Sequence, residues 1–282
     1  MPGDKIRIGV VAPGKRLEED VAQRLVAFAA QQFPNVELAI HPQCFLSHGH
    51  FAGPDAARAN AFLEVANDPR FDALWWARGG YGAGRVAPLV LPHLSDAAKK
   101  KTYLGYSDAG FILAGLYRAG FPFVAHGPVA RDITRDGGEA AIGRALGFLT
   151  ARDPLTLEPN LTAAAPAAAF NLCVLSHIAG TDLMPDLTGH VLMLEEVSEE
   201  LYRIDRSLCH VTSVPSVRGC AGLRLGRVTG ILPNDPDFGA TPDEIARHWC
   251  TVAEITYLGR AEIGHDADNR IVPFGHWPWP TA

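Results

Sequence analysis

The chain has 282 residues, 48% of them hydrophobic and 20% charged, enough apolar material for one large α/β domain or two smaller ones. Its formal net charge of −6 comes without a run of like charges, so the cationic footprint that DNA or RNA binding requires is missing and no nucleic-acid partner is expected. The five cysteines, Cys44, Cys173, Cys209, Cys220 and Cys250, form no CxxC pair and are odd in number, which points to free thiols in a reducing, cytoplasmic compartment.

The N-terminal segment "MPGDKIRIGVVAPGKR" carries a short apolar run interrupted by Arg and closed by Pro-Gly. It is expected to be neither signal peptide nor membrane span, and no later segment approaches a spanning length, so no membrane partner is expected. "KIRIGVVAP" reads as a buried strand stopped by Pro13-Gly14, and "LEEDVAQRLVAFAAQQF" as a helix with Val21, Leu25, Val26 and Ala29 at helical spacing. The alternation continues with strand "VELAIHP", helix "PDAARANAFLEVAND", strands "FDALWWARGG" and "KTYLGY", helix "AGFILAGLYRAG" and strand "FPFVAHGP". Strands alternating with helices predict βαβ units and a largely parallel sheet over residues 1–150, with ligands at the carboxyl ends of its strands.

Residues 151–170, rich in Pro and Ala and without periodicity, read as a linker, and 171–282 as a second domain. There "HVLMLEEV" and "LRLGRVTGIL" read as strands, "EELYRIDRSLCHVTS" and "PDEIARHWC" as helices, and the tail "AEIGHDADNRIVPFGHWPWP" as turn-rich loops. No internal repeat is present.

Several stretches carry candidate chemistry. In "GYSDAG" Ser107 lies between a predicted strand and a predicted helix, where a tight turn can lift a hydroxyl above the sheet. Ala109 stands where GxSxG would have its second glycine, so helix capping by Ser107 or Asp108 is the competing reading. Either way the Asp108 amide sits at a helix start, where it could stabilise an oxyanion. In "WWARGGYGAGR" a strand ends in four glycines within six positions, a loop able to aim amides at a substrate oxygen; it is neither GxxxxGK[ST] nor GxGxxG, so phosphate binding is weakly indicated. Serine catalysis also needs a base and an orienting carboxylate. Among eleven histidines His265 stands out in the polar loop "EIGHDADNR", and Glu195 and Glu196 close an apolar strand. "HGH" at 48–50 lacks a third ligand in view, so no metal is expected.

Together these pieces resemble the L,D-carboxypeptidase family of serine peptidases, which includes muramoyltetrapeptide carboxypeptidases and microcin C immunity peptidases. The motifs that carry the resemblance span nearly the whole chain: "VVAPG", "ARGGYGAGR", "GYSDAGFIL", "AHGP", "NL" with "AGTDLMPDLTGHVLMLEEV", "YRIDRSL", and "IGH" followed by "VPFG". The resemblance implies a flavodoxin-like N-terminal α/β domain, a smaller and more β-rich C-terminal α/β domain, and an active site in the cleft between them. It also implies Ser107 as nucleophile, His265 as general base, Glu195 as the orienting carboxylate, and an oxyanion hole from the amides of Asp108 and Gly80. The family's carboxylate directly follows the apolar strand, which favours Glu195 over Glu196.

The expected reaction removes the terminal D-alanine of a murein tetrapeptide at its L,D amide bond, without cofactor, in a cytoplasmic homodimer. Arg78 and Arg206 are the candidates for holding the substrate carboxylate, with structural ion pairs as the competing reading. The chain departs from the family at Ala169-Phe170, where a Gly-Gly pair is common, and at Gly14, where serine is usual; both bear on substrate preference. One alternative is a peptidase of the same family acting on microcin C-type peptidyl-nucleotides, with Trp75, Trp76 or "HWPWP" stacking on the base. The other is a non-catalytic protein binding a small anionic ligand in the same cleft.

Overall fold

The computed structural model describes residues 5–279; residues 1–4, which begin the N-terminal segment analysed above, and 280–282, which include the last proline of "HWPWP", lie outside it. The chain runs β1 (Ile6–Val11), α1 (Glu19–Gln32), β2 (Val36–Ile40), α2 (Asp55–Asn67), β3 (Ala73–Trp76), α3 (Ala83–Val90), α4 (Asp96–Lys99), β4 (Thr102–Gly105), α5 (Gly110–Arg118), β5 (Val124–His126) and α6 (Gly138–Ala151). It continues with β6 (Ala167–Asn171), α7 (Leu172–Ile178), β7 (Val191–Val197), α8 (Leu201–Thr212), α9 (Pro215–Arg218), β8 (Gly222–Thr229), α10 (Pro242–Val252), β9 (Tyr257–Arg260) and β10 (Val272–Pro273).

The first sheet has the order β10-β5-β4-β3-β1-β2, parallel throughout except that β10 runs antiparallel to β5. Its central strands are buried on both faces because helices cover both, as continuous apolar runs such as "ALWW" require. Trp75 packs with α1 and α6 residues Leu25, Ile142 and Leu146, while Trp76 faces the α2, α3 and α5 residues Phe62, Val86 and Ile112.

The second sheet, β6-β7-β8-β9, is entirely parallel. Its inner residues Phe170, Leu192 and Leu194 join Trp76, Ile112 and Leu113 in one continuous core, so the two sheets are packed through α5 and α7 rather than tethered by a chain crossing. Burial of that apolar surface, at about 25 cal/mol per Å², is what holds the halves together.

The structure differs from the sequence reading in places. Residues 167–170, read as the end of the linker, form with Asn171 the fully buried strand β6, paired in parallel with β7; tertiary pairing overrides alanine's poor strand propensity. Helices α3, α4, α6, α7 and α9 and strand β9 had no expected counterpart, and the tail places β10 back in the first sheet. Among the described residues no helix is long and apolar enough to cross a membrane.

Candidate active site

Strand β4 ends at Gly105, where an added Cβ would lie 2.9 Å from that of Ala109 and 3.1 Å from the Trp76 ring. Only glycine allows so sharp a reversal there. Two residues on, Ser107 adopts φ +61°, a left-handed conformation that costs a non-glycine residue roughly 1 kcal/mol or more. A 3₁₀ turn over Ser107–Ala109 then leads into α5. Among the described residues the Ser107 hydroxyl accepts no capping bond from the amides of this helix, and, half-buried, it lines the cleft.

The glycine loop after β3 lies directly against this turn: a Cβ on Gly79 would sit 3.0 Å from Ser107 Cβ and 3.1 Å from its Oγ. Gly80 has φ +96°, and a Cβ on Gly14 would fall 2.2 Å from the Gly80 carbonyl oxygen, so the Gly14 position demands glycine in this backbone. Two buried side chains fix the loop. The Asp108 carboxylate accepts from the amides of Ala83, at 2.6 Å, and Gly82; burial pushes its pKa up to about 6 despite these bonds. The Arg58 guanidinium, fully buried on α2, donates to the carbonyls of Pro13 and Gly82, the latter at 2.9 Å. The sequence reading had no part for Arg58; an arginine among the alanines of an amphipathic helix gives no signal of it.

Glu195 and Glu196 close β7 and point to opposite faces, as strand alternation dictates. Glu195, fully buried, accepts the Nδ1–H of His265 on Oε2 at 2.6 Å. Glu196 instead accepts from the amides of Cys173, at 2.7 Å, and Val197, at 2.8 Å, and from Asn171 Nδ2 at 2.8 Å, anchoring the start of α7; burial raises its pKa to about 7. His265 is almost wholly buried, which by itself disfavours its cation, but the Glu195 charge and hydrogen bond overcome that and raise its pKa above the ordinary 6.5.

His265 sits on the stretch between β9 of the second sheet and β10 of the first. Asn269 Oδ1 accepts from the Gly264 amide at 3.1 Å, and Arg144 of α6 donates to the carbonyls of Ala267 and Asn269. The imidazole packs against Tyr106, with ring centroids 4.8 Å apart, and beyond Tyr106 lies His126, whose buried imidazole burial keeps neutral, with a pKa near 3.

Ser107, Gly79, Gly80 and His265 line one cleft of about 430 Å³ between the two sheets, with Glu195 behind the histidine. No Ser107–His265 hydrogen bond is formed among the described residues, a spacing that commonly tightens when substrate arrives. Arg78 lines this cleft, its guanidinium donating to the Arg16 carbonyl at 3.1 Å and to Glu18 at 3.3 Å. Arg206 does not line it; it is exposed on α8, stacked over Tyr202. Lys15, Arg131 and Arg135, all passed over in the sequence, do line it. Trp75 and Trp76 are core residues away from it, and Trp277 and Trp279 pack on Phe148. His48 and His50 are exposed, and among the described residues no cluster of His, Cys, Asp or Glu is arranged to hold a metal ion.

The sequence matches the family model for the LD-carboxypeptidase N-terminal domain over residues 8–127 and that for the LD-carboxypeptidase C-terminal domain over residues 166–278. The chain belongs to the LD-carboxypeptidase family. It is therefore a peptidase, a hydrolase of the carboxypeptidase type. Among relatives of this LD-carboxypeptidase family member is the murein tetrapeptide carboxypeptidase of Pseudomonas aeruginosa, 25% identical over 284 residues that span 95% of this chain and 91% of that one. The fold is shared with the crystal structure of muramoyltetrapeptide carboxypeptidase from Oxalobacter formigenes, at TM-score 0.79 and 23% identity, covering 95% of this chain and 93% of that one. It is shared equally with MccF in complex with glutamyl sulfamoyl guanosine, at TM-score 0.79 and 17% identity over 97% and 92% of the two chains.

Proposed function

We propose that this LD-carboxypeptidase family member is a serine carboxypeptidase that releases the terminal D-alanine of murein tetrapeptides by a Ser107-His265-Glu195 triad. The observation that carries the reading is the 2.6 Å bond from His265 Nδ1 to the buried Glu195 in the cleft that Ser107 and the glycine loop share. With Nδ1–H committed to Glu195, Nε2 is the nitrogen free to take a proton.

The steps follow. Ser107 Oγ attacks the scissile carbonyl carbon as its proton passes to His265 Nε2, and the resulting oxyanion is met by the amides of Gly80 and Asp108. Collapse breaks the C–N bond, with His265 returning the proton to the departing D-alanine amine. Water, deprotonated by His265, then attacks the acyl-enzyme and frees Ser107. Such positioning is consistent with a turn strained at Ser107 and a glycine loop locked by Asp108 and Arg58. In this reading the enzyme trims recycled wall peptides in the cytoplasm, as a homodimer.

Mass spectrometry of an L-Ala-D-Glu-diaminopimelate-D-Ala tetrapeptide incubated with wild-type and Ser107→Ala protein tests this. Release of D-alanine by the wild type alone supports it. No release by either would move the weight to a peptidyl-nucleotide substrate, although burial of Trp75 and Trp76 removes two of the side chains that could have stacked on a base. A wild type that also fails to react with a fluorophosphonate at Ser107 would favour a binding protein.

A further inference from the structure

The reaction fixes where the substrate's free carboxylate must lie. The D-alanine nitrogen takes its proton from His265, and the carboxylate is borne by the carbon bonded to that nitrogen, so it falls within about 4 Å of the imidazole's reach in any productive pose. A cation on the histidine side of the cleft is needed, not one on the side of the oxyanion loop.

Four cationic side chains line the cleft, and three belong to the loop side. The stem of Lys15 lies across Gly80, where a Cβ would meet its Cδ at 2.9 Å. Arg78 and Arg131 both pair with the single carboxylate of Glu18, each at 3.3 Å, and the Arg131 amide donates to the Ala77 carbonyl at 2.8 Å, where the glycine loop begins. Arg135 is the fourth. Its Nε donates to the buried Asp132 at 2.8 Å and its Nη2 to the Tyr106 hydroxyl at 3.0 Å, while that hydroxyl donates to Asp132 at 3.1 Å. Tyr106 is the ring packed on His265. The guanidinium is therefore locked by a triangle of bonds on the histidine side, half exposed, with Nη1 unpartnered among the described residues. Its charge is also felt at His265, where it opposes the effect of Glu195.

From this geometry we infer that Arg135 holds the free terminal carboxylate of the substrate, with Asp132 and Tyr106 as the residues that position it. The inference rests on the function proposed above and replaces both arginines favoured by the sequence. A guanidinium anchored at Nε and Nη2 presents its remaining edge as a preset donor, which saves the rotamer entropy a free arginine would lose on binding.

The test compares kcat/KM for the tetrapeptide ending in D-alanine with that for the same peptide ending in D-alaninamide, in wild type, Arg135→Gln and Arg135→Lys. The ratio of the two is internal to each protein, so partial misfolding of a variant cancels. A charge-assisted hydrogen bond in a half-buried site is worth roughly a ten- to hundredfold preference for the acid, expected in the wild type, abolished by Arg135→Gln and partly kept by Arg135→Lys. Wild-type preference that survives Arg135→Gln would overturn the inference while leaving the carboxypeptidase reading intact. Equal loss on acid and amide would overturn it too, making Arg135 a support for Tyr106 and His265. A wild type that cleaves neither substrate, releasing no D-alanine from the acid and no D-alaninamide from the amide, would overturn the proposed function and this inference with it.

Discussion

Replacing Glu195 by Gln isolates the charge behind His265, since the two side chains are nearly isosteric and the site is fully buried. The Oε2–Nδ1 distance is 2.6 Å. With the charges centred about 4 Å apart and an effective dielectric of about 20, the imidazolium formed during attack loses about 4 kcal/mol of stabilisation, or about a thousandfold in rate. Loss of the correct tautomer can add to this, because an amide NH₂ facing Nδ1 would turn Nε2 into the donor. The pH profile gives a second, independent readout. In the wild type the His265 pKa is raised above 6.5, and the base works only when neutral, so kcat/KM should rise with pH through a limb above 6.5. Without the Glu195 charge, burial dominates and the limb moves to lower pH. Steady-state D-alanine release measured between pH 5 and pH 9 checks both effects. A Glu195→Gln protein within tenfold of wild type, with an unmoved acid limb, would refute the role given to this carboxylate.

Four further outcomes are expected. Gly79→Ala puts a methyl group 3.0 Å from Ser107 Cβ, so kcat should fall by an order of magnitude or more while thermal stability changes little; unchanged kcat would mean the turn and loop are not held in register. Asp108→Ala strips the Gly82 and Ala83 amides of their acceptor, and should cost about 2 kcal/mol in chemical denaturation and tenfold or more in acylation by a fluorophosphonate. Glu196→Ala removes two hydrogen bonds at the start of α7 and one to the Val197 amide at the end of β7, and should lower stability by about 3 kcal/mol, with the melting temperature reporting it. Glu196 also has a folded-state pKa of about 7 against an ordinary 4.5, so its contribution is fully present below 4.5 and is lost as pH rises through 7; the stability of wild type relative to Glu196→Gln should fall by a few kcal/mol across that window, and a flat difference would count against the burial that raises it.

How much was legible in the sequence depended on the range over which each feature is determined. The strand-turn-helix around Ser107 is written locally: β-branched and aromatic residues, Gly105, a small turn, then helical periodicity from Gly110. The parallel first sheet followed from the same kind of alternation, helix by helix. Strand β6 did not, because "AAAF" has no strand periodicity of its own and is buried on both faces only by what packs around it. The pairing of His265 with Glu195 rather than Glu196 could be read only from family resemblance, since a carboxylate doublet at the end of a strand offers one residue to each face and the sequence does not say which face meets the histidine. Arg58 and Arg135 carried no signal: one lies in an alanine-rich helix, the other in a short turn, and both acquire meaning from backbone carbonyls and side chains that are distant in sequence.

The path of the chain explains why the nucleophile and the base, although on different sheets, can be held in register. Ser107 stands at the carboxyl end of β4 in the first sheet and Glu195 near the end of β7 in the second, so any slippage between sheets would separate them. His265 lies on a connection anchored at both ends: β9 fixes it to the second sheet, and β10, paired with β5 through Val272 and His126, returns it to the first. The bond from Arg144 to the Asn269 carbonyl adds a clamp from α6, on the far side of the first sheet from α5. A short antiparallel pairing of two residues contributes little to the stability of a six-stranded sheet, yet it shortens the free span that carries the base to residues 261–271. Weakening the packing of that strand mildly, for instance by Val272→Ala, should therefore reduce kcat more steeply than it reduces the melting temperature, and a proportional loss of the two would mean that the sheets, not the strand, hold the histidine in place.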